Sequence, residues 1–389
     1  MNTAIFIRKV ITGEGAVNGL ADLMDKYQPK KVMLFADPII VQVGAAKKIE
    51  SILEAKGVQY QIYSDIKPEP LVEHGDMAVK AVRDYGAELV IGVGGGSCLD
   101  LAKVAACLVK NEGSIADYLN LTGTKKLTNP GVIKILLPTT AGTGAEVTFN
   151  AVFSLGNTKD IISDENILAD VAIVDPEFTY TLPPKVTAAS GMDALTHALE
   201  AFTSKGGTEL TDTLAIEAVR KISRNITTAT WNGTDIKARG EMVWGSLIAS
   251  LSYFNAGVHA VHALAYPLGG LFHISHGESN AVLLPYIFDY IWPSCIQKMV
   301  LIAEAMDLPC DGKSEREIAL MVVRHLQNLI KDTGLPVTIK DYGIKASDLD
   351  KIAQDATEQK RLLGRCPRML KLEDIRKVYQ AAYDGKLSE

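Results

Sequence analysis

Ala87-Glu-Leu-Val-Ile-Gly-Val-Gly-Gly-Gly-Ser97 joins an apolar run to a string of glycines, and this junction decides the fold class. A short apolar run rich in Val and Ile and closed by glycine reads as a strand buried on both faces. The glycines lead into a helical pattern over residues 100–109, so the unit is strand, tight turn, helix. Glycines let backbone N–H groups approach a pyrophosphate, and a helix N-terminus adds partial positive charge. Ser97 and Asp100 also have capping-box spacing, with Asp in the Glu slot. A well-capped turn without a ligand accounts for the same letters, and the residues alone leave both readings open.

The same grammar repeats on either side. Lys31-Val-Met-Leu-Phe-Ala36 ends at Asp37, Val132-Ile-Lys-Ile-Leu-Leu137 ends at Pro138-Thr-Thr-Ala-Gly-Thr-Gly144, and Val171-Ala-Ile-Val174 ends at Asp175-Pro176. A helical pattern over 71–85 lies between two of these runs. Strands alternating with helices predict a parallel sheet covered on both faces. After Leu182-Pro-Pro184 the pattern turns helical, with stretches over 211–225, 238–254, 296–306 and 315–333 and no persuasive strand. The expectation is an α/β N-terminal Rossmann-like domain over 1–182, an all-α C-terminal domain over 183–389, and a cleft between them.

Two loops at strand ends are candidates for a nucleotide. A P-loop is unlike this chain, which has no Gly-Lys-Ser/Thr. Asp37 precedes the glycines instead of following them, yet its place after the first of these runs suits a ribose diol, and its charge would repel a 2′-phosphate. Asp37 beginning a turn with Pro38 is the plainer alternative. Thr139-Thr-Ala-Gly-Thr-Gly144 is dense in hydroxyls and backbone donors, and ligands of open α/β sheets collect at such strand ends. It reads equally as a polar turn.

In the helical half, Gly191-Met-Asp-Ala-Leu-Thr-His197 places Asp193 and His197 at i, i+4, one turn apart on one helix face. His262 and His276, from distant segments, would complete a four-ligand shell of nitrogen and oxygen, which suits Fe²⁺ or Zn²⁺ better than Mg²⁺ or Ca²⁺. Asp-x3-His by itself is a weak motif, and coincidence explains it as well.

Bulk properties narrow the classes. The 389 residues suffice for two cores, and 47% hydrophobic with 22% charged residues is ordinary for a globular enzyme. A net charge of −6 offers no basic surface for nucleic acid and no polybasic membrane anchor. Five scattered cysteines without CxxC spacing read as reduced thiols. With no signal-peptide core and no membrane-length apolar run, the expectation is a soluble, cytoplasmic protein.

Taken in order, these motifs resemble the iron-dependent (group III) alcohol dehydrogenase family nearly end to end. The resemblance runs through Gly94-Gly-Gly-Ser97 with Asp100 and Lys103, then Pro138–Gly144 with Glu146, Ala172-Ile-Val-Asp-Pro-Glu177 and Gly191–His197. It continues with Asn255-Ala-Gly, Val261-His-Ala-Leu-Ala265, Pro267-Leu-Gly-Gly270, His276-Gly277, Pro367-Arg368 and Leu372-Glu-Asp-Ile375. It implies the dehydroquinate synthase-like/iron alcohol dehydrogenase fold, with a metal in the cleft held by Asp193, His197, His262 and His276. The metal implied is Fe²⁺, with Zn²⁺ possible. The cofactor is NAD, contacted by Asp37, Gly95, Gly96, Ser97, Asp100, Thr139, Thr140, Thr143, Thr148 and Lys159. The activity implied is reversible reduction of a small aldehyde to a primary alcohol or diol by a homo-oligomer, a dimer or larger.

Two departures stand out. Many members carry His where this chain has Tyr266, and His273 is a substitute imidazole, so Tyr266 and His273 are the catalytic candidates. His259 occupies a slot that is often Gly. It reads as packed, as a neighbour of a ligand, or as an alternative ligand. His74 and His325 read as surface histidines. The rival readings are a hydroxyacid–oxoacid transhydrogenase or hydroxyacid dehydrogenase of the same family, a zinc-dependent glycerol dehydrogenase type and an inactive NAD-binding relative. A dehydroquinate synthase-like lyase is the last; its phosphate substrate needs basic residues that are not seen near the ligand segments.

Overall fold

The computed structural model describes residues 3–155 and 158–388. Among them the strands are β1 (Val10–Thr12), β2 (Lys31–Ala36), β3 (Gln59–Tyr63), β4 (Leu89–Gly94), β5 (Ile133–Pro138), β6 (Asn150–Leu155), β7 (Thr158–Ser163) and β8 (Val171–Val174). Six of them form one parallel sheet in the order β1-β8-β5-β4-β2-β3. The side-chain period of two, with both faces covered, explains why the central strands are almost wholly apolar; Lys134 in β5 is buried with its ammonium on the Pro130 carbonyl at 2.7 Å. Met33, Phe35, Val90 and Leu136 enter one core layer, while Val32, Leu34, Ile91, Val93, Ile135 and Leu137 enter the other.

The α/β architecture and the helical second half are as the sequence predicts. Three strand features were not legible. β1 has only three residues, and β3 alternates Gln with Tyr and Ile at the sheet edge. The antiparallel pair β6–β7 follows the Thr-rich loop and carries Lys159.

At the glycine junction β4 ends at Gly94 and the next helix spans Gly96–Leu108. Its N-cap is Gly95, in extended conformation, and no side chain caps the helix. The expected Ser97–Asp100 capping box is therefore not formed, because the helix starts before Ser97. The Ser97 hydroxyl instead accepts the Glu69 N–H at 3.2 Å. Asp100 pairs with Lys103 at 3.0 Å and accepts the Val152 N–H at 3.0 Å.

Two compact units divide the described residues. One comprises Phe6–Thr140 and Gly144–Tyr180, and the other residues 3–5, Ala141–Thr143 and the chain from Thr181 onward. A single cut at residue 182 does not describe this interleaving, which has local causes. Within the second unit Ser246 donates to the Gly142 carbonyl at 3.3 Å and Tyr253 to the Thr143 carbonyl at 2.8 Å. Asn255 bonds the Ile5 backbone on both its N–H and its carbonyl.

The second unit is helical, with no strand among its described residues. Its helices include Pro184–Thr203, Glu209–Trp231, Ile236–Ala256, Ala260–Phe272 and His276–Ile291. Pro184 opens the first of these at a position where its missing N–H costs nothing. No helix among the described residues is long and apolar enough to cross a membrane.

Candidate metal and cofactor sites

The helix Pro184–Thr203 presents Asp193 and His197 on one face, as their spacing predicts. His262 sits in the first turn of Ala260–Phe272, and His276 is the first residue of His276–Ile291. Gly277 lets the last helix close in, since a Cβ there would lie 2.3 Å from the Ala189 carbonyl oxygen. One ligand atom from each of Asp193, His197, His262 and His276 lies within 4.8 Å of every other. His197 Nε2 is 3.0 Å from His262 Nε2, and Asp193 Oδ1 is 3.9 Å from His262 Nε2 and 3.7 Å from His276 Nε2.

Electrostatics makes this arrangement informative. Burial pushes His197 down to about 3 and His262 to about 4, against the pull of Asp193. Both imidazoles are therefore neutral near pH 7 and each keeps a lone pair. Burial opposes ionisation of Asp193, but the surrounding His197, His276 and His262 and the Asn280 amide outweigh it and hold the carboxyl below its usual range. Buried acceptors facing one another repel unless a cation or donor lies among them. Three imidazoles and a carboxylate fit a tetrahedral or open transition-metal site.

Two residues of this site were missed in the sequence reading. Asn280, one turn after His276, points its amide nitrogen at Asp193 Oδ1 (2.8 Å) and at the Nε2 atoms of His262 and His276 (both 3.2 Å). Glu200, fully buried, accepts from His262 Nδ1 at 2.5 Å and from the Val261 N–H at 2.6 Å. Its signal was present: Asp193, His197 and Glu200 follow the 4, 3 spacing of one helix face. Tyr253 stacks on His197, with ring centroids 4.0 Å apart.

The catalytic candidates separate. The Tyr266 ring lies 6.3 Å from that of His276, and burial raises its pKa, so the phenol stays protonated. His273 is the exposed, left-handed C-cap of its helix. His259 is fully buried between Thr203 and Glu200, and His325 is partly buried, its pKa lowered by burial. His74 closes a local helix cap by accepting the Leu71 N–H.

In the α/β unit, Asp37, Gly95, Gly96, Ser97, Thr139 and Thr140 collect at the carboxyl ends of the adjacent strands β2, β4 and β5. The two loops touch: the Thr139 N–H donates to the Gly94 carbonyl at 3.0 Å, and Thr140 Cγ2 is 3.9 Å from where a Gly95 Cβ would stand. Asp37 uses Oδ1 to cap the short helix Pro38–Gln42, accepting from Ile39 and Ile40 at 3.0 Å, while Oδ2 faces Gly94. The plain turn reading is thus correct for one oxygen, and the other takes no part in the cap. Lys159 pairs with Glu69 at 2.6 Å. Thr143 belongs to the helical unit.

The Asp100 carboxylate and the Thr148 carbonyl also take part in a buried clamp. Lys103, fully buried, donates to the carbonyls of Ala145 (2.9 Å), Thr148 (3.2 Å) and Asn150 (2.5 Å) besides pairing with Asp100. This clamp fixes the segment that follows the Thr-rich loop. Next to it, burial raises Glu146 from 4.5 to about 7, with Lys103 opposing. A carboxyl whose folded pKa is raised holds its proton longer when folded, so stability falls as pH rises from about 4.5 to about 7. Glu146→Gln removes that dependence. In urea denaturation the variant should match the parent near pH 4.5 and exceed it by about 2–3 kcal/mol at pH 8. A constant difference across that range would reject the burial argument.

Comparison with known proteins agrees with this geometry. The description "Iron-containing alcohol dehydrogenase" matches residues 8–176, and "Fe-containing alcohol dehydrogenase family, C-terminal" matches residues 187–383. The chain is 48% identical to long-chain-alcohol dehydrogenase 1 of Geobacillus thermodenitrificans, over 97% of this chain and 95% of that one. It superposes on a crystal structure of 1,3-propanediol oxidoreductase with a TM-score of 0.94 and 31% identity, covering 98% of this chain and 100% of the other. A sulfoacetaldehyde reductase from Bifidobacterium kashiwanohense, solved in complex with NAD⁺, superposes with a TM-score of 0.88 and 26% identity, covering 99% and 100%. Matched along nearly its whole length, the chain belongs to the iron-containing alcohol dehydrogenase family, oxidoreductases that use a metal and NAD(H).

Proposed function

We propose that this protein is a metal-dependent, NAD(H)-linked alcohol dehydrogenase that reversibly reduces a small aldehyde to a primary alcohol or diol. The observation that carries the reading is the convergence of Asp193, His197, His262 and His276, four electron-pair donors from three helices. A divalent cation held there supplies a Lewis acid for a carbonyl or alcohol oxygen, and NADH supplies the hydride. The neutral His197 and His262 bind it without first losing a proton. Fe²⁺ is the metal proposed, and Zn²⁺ is the natural competitor for the same ligands.

The remaining groups position and donate. The Gly95, Gly96 and Ser97 turn, with its uncapped helix N-terminus, suits a pyrophosphate. Thr139, Thr140, Thr143 and Lys159 offer donors to the rest of the dinucleotide, and the Asp37 carboxylate favours a ribose diol over a 2′-phosphate. Tyr266, protonated, can donate to a developing alkoxide but is a poor base near neutral pH. The family reading also supports a homo-oligomer, a dimer or larger.

Substrate length is the open chemical choice. A small aldehyde suits the 1,3-propanediol oxidoreductase likeness, whereas the long-chain relative favours a longer alkyl chain. Protein loaded anaerobically with Fe²⁺ should oxidise NADH in the presence of one class among short, hydroxylated and long-chain aldehydes, and NADPH should replace NADH poorly. Silence across that panel, with oxo acids reduced only when a hydroxy acid is supplied and NADH not consumed, would favour a transhydrogenase. Retention and recycling of NAD on a phosphorylated substrate would favour a lyase.

A further inference from the structure

Among the described residues no Lys or Arg pairs with the buried Glu200, only His259 and His262, and the chemistry above assigns it no task. Its surroundings are specific. Oε2 is 2.5 Å from His262 Nδ1, and Oε1 accepts the Val261 N–H at 2.6 Å. His259 Nδ1 lies 3.1 Å from the same Oε1, and its Nε2 lies 2.9 Å from the Thr203 hydroxyl. Every one of these side chains is at least 96% buried, so water cannot substitute for a lost partner. Thr203, Glu200 and His197 stand on one helix, while His259, Val261 and His262 open another.

A carboxylate can only accept hydrogen bonds, so the partner nitrogen of His262 must carry the proton. A neutral imidazole has a single N–H; with Nδ1 protonated, Nε2 is left as a lone pair. That Nε2 is the atom facing His197, Asp193 and His276. The Val261 N–H holds the other oxygen, so the carboxylate is tied down at both ends.

We infer that Glu200 is a positioning residue: it selects the Nδ1–H tautomer of His262 and so keeps Nε2 available as a metal ligand, with His259 and Thr203 bracing it. This inference rests on the metal reading of the four-residue cluster. In Glu200→Gln one acceptor becomes a donor. Either the Val261 N–H loses its partner, or the amide donates to Nδ1 and the His262 proton moves to Nε2, where it blocks the cation.

The test uses the full-length apo protein. Zn²⁺ affinity is measured by competition with a chromophoric chelator, His tautomers by ¹H–¹⁵N spectra of the imidazole rings, and NADH affinity by fluorescence. The parent should bind one Zn²⁺ per chain and show His262 protonated at Nδ1. Glu200→Gln should bind Zn²⁺ about 10–100-fold more weakly, as loss of such outer partners usually does. It should also show the altered His262 tautomer and keep the parent's NADH affinity. Glu200→Asp, still an acceptor only, should bind Zn²⁺ more tightly than Glu200→Gln. Unchanged affinity and tautomer in Glu200→Gln overturn the assignment, as does a Glu200→Asp variant no better than it. A parent that takes up no Zn²⁺ at this site overturns the metal reading itself, and this one with it.

Discussion

His262→Ala should lose turnover by about three to four orders of magnitude, the equivalent of several kcal/mol of metal-assisted transition-state stabilisation. The size of the effect follows from the geometry. His262 is the link among the four ligands: its Nε2 is 3.0 Å from His197 and 3.9 Å from Asp193, and its ring centroid is 5.3 Å from that of His276. Removing it also leaves the Glu200 carboxylate buried without that partner. Metal content should fall with activity, because three ligands around a cavity hold a cation less firmly than four. NADH binding should persist, since the glycine loop and Thr139–Thr140 lie in the other unit. Metal analysis, steady-state rates and NADH fluorescence titration on one preparation separate these quantities. Near-parental turnover in this variant would remove His262 from the ligand set.

Lys103→Met should be the most damaging change away from the metal ligands. The ammonium is fully buried, and it satisfies three backbone carbonyls and the Asp100 carboxylate at once. A methionine fills similar volume but donates nothing. Asp100, itself buried, is left without its counter-charge, and breaking a buried pair by removing one partner costs about 3–5 kcal/mol. The carbonyls of Ala145, Thr148 and Asn150 lose a donor, the first two within buried residues. Because those carbonyls anchor the segment after the Thr-rich loop, NADH affinity should fall about tenfold or more even where the variant remains folded. Denaturation midpoints and NADH titration measure the two effects. Loss of stability with undiminished NADH affinity would confine Lys103 to a packing role.

Much of this could be read from local patterns. Buried strands announce themselves as apolar runs ending in Gly, Asp or Pro, because a strand covered on both faces has little room for a polar residue unless, like Lys134, it finds a partner. β3 and β6–β7 escaped since edge and ribbon strands mix polar with apolar residues and look like loops. The Asp193–His197 pair was legible because helical spacing is set by the backbone alone. Glu200 lay on the same face, and that spacing was its signal, but a glutamate on a helix is ordinarily solvated. Asn280 escaped in the same way, one turn from His276.

What the sequence determined by itself was therefore periodic and local: the alternation that makes a parallel sheet, the change to helices after Pro183, and the residue types able to bind a metal or a pyrophosphate. The tertiary structure decided which of those residues share a site. It turned Asp100 away from a cap and toward Lys103, gave one oxygen of Asp37 to a cap, and put Glu200 behind His262. The physical reason is burial. A side chain's charge, tautomer and partners depend on what replaces water around it, and that is set by segments tens of residues away.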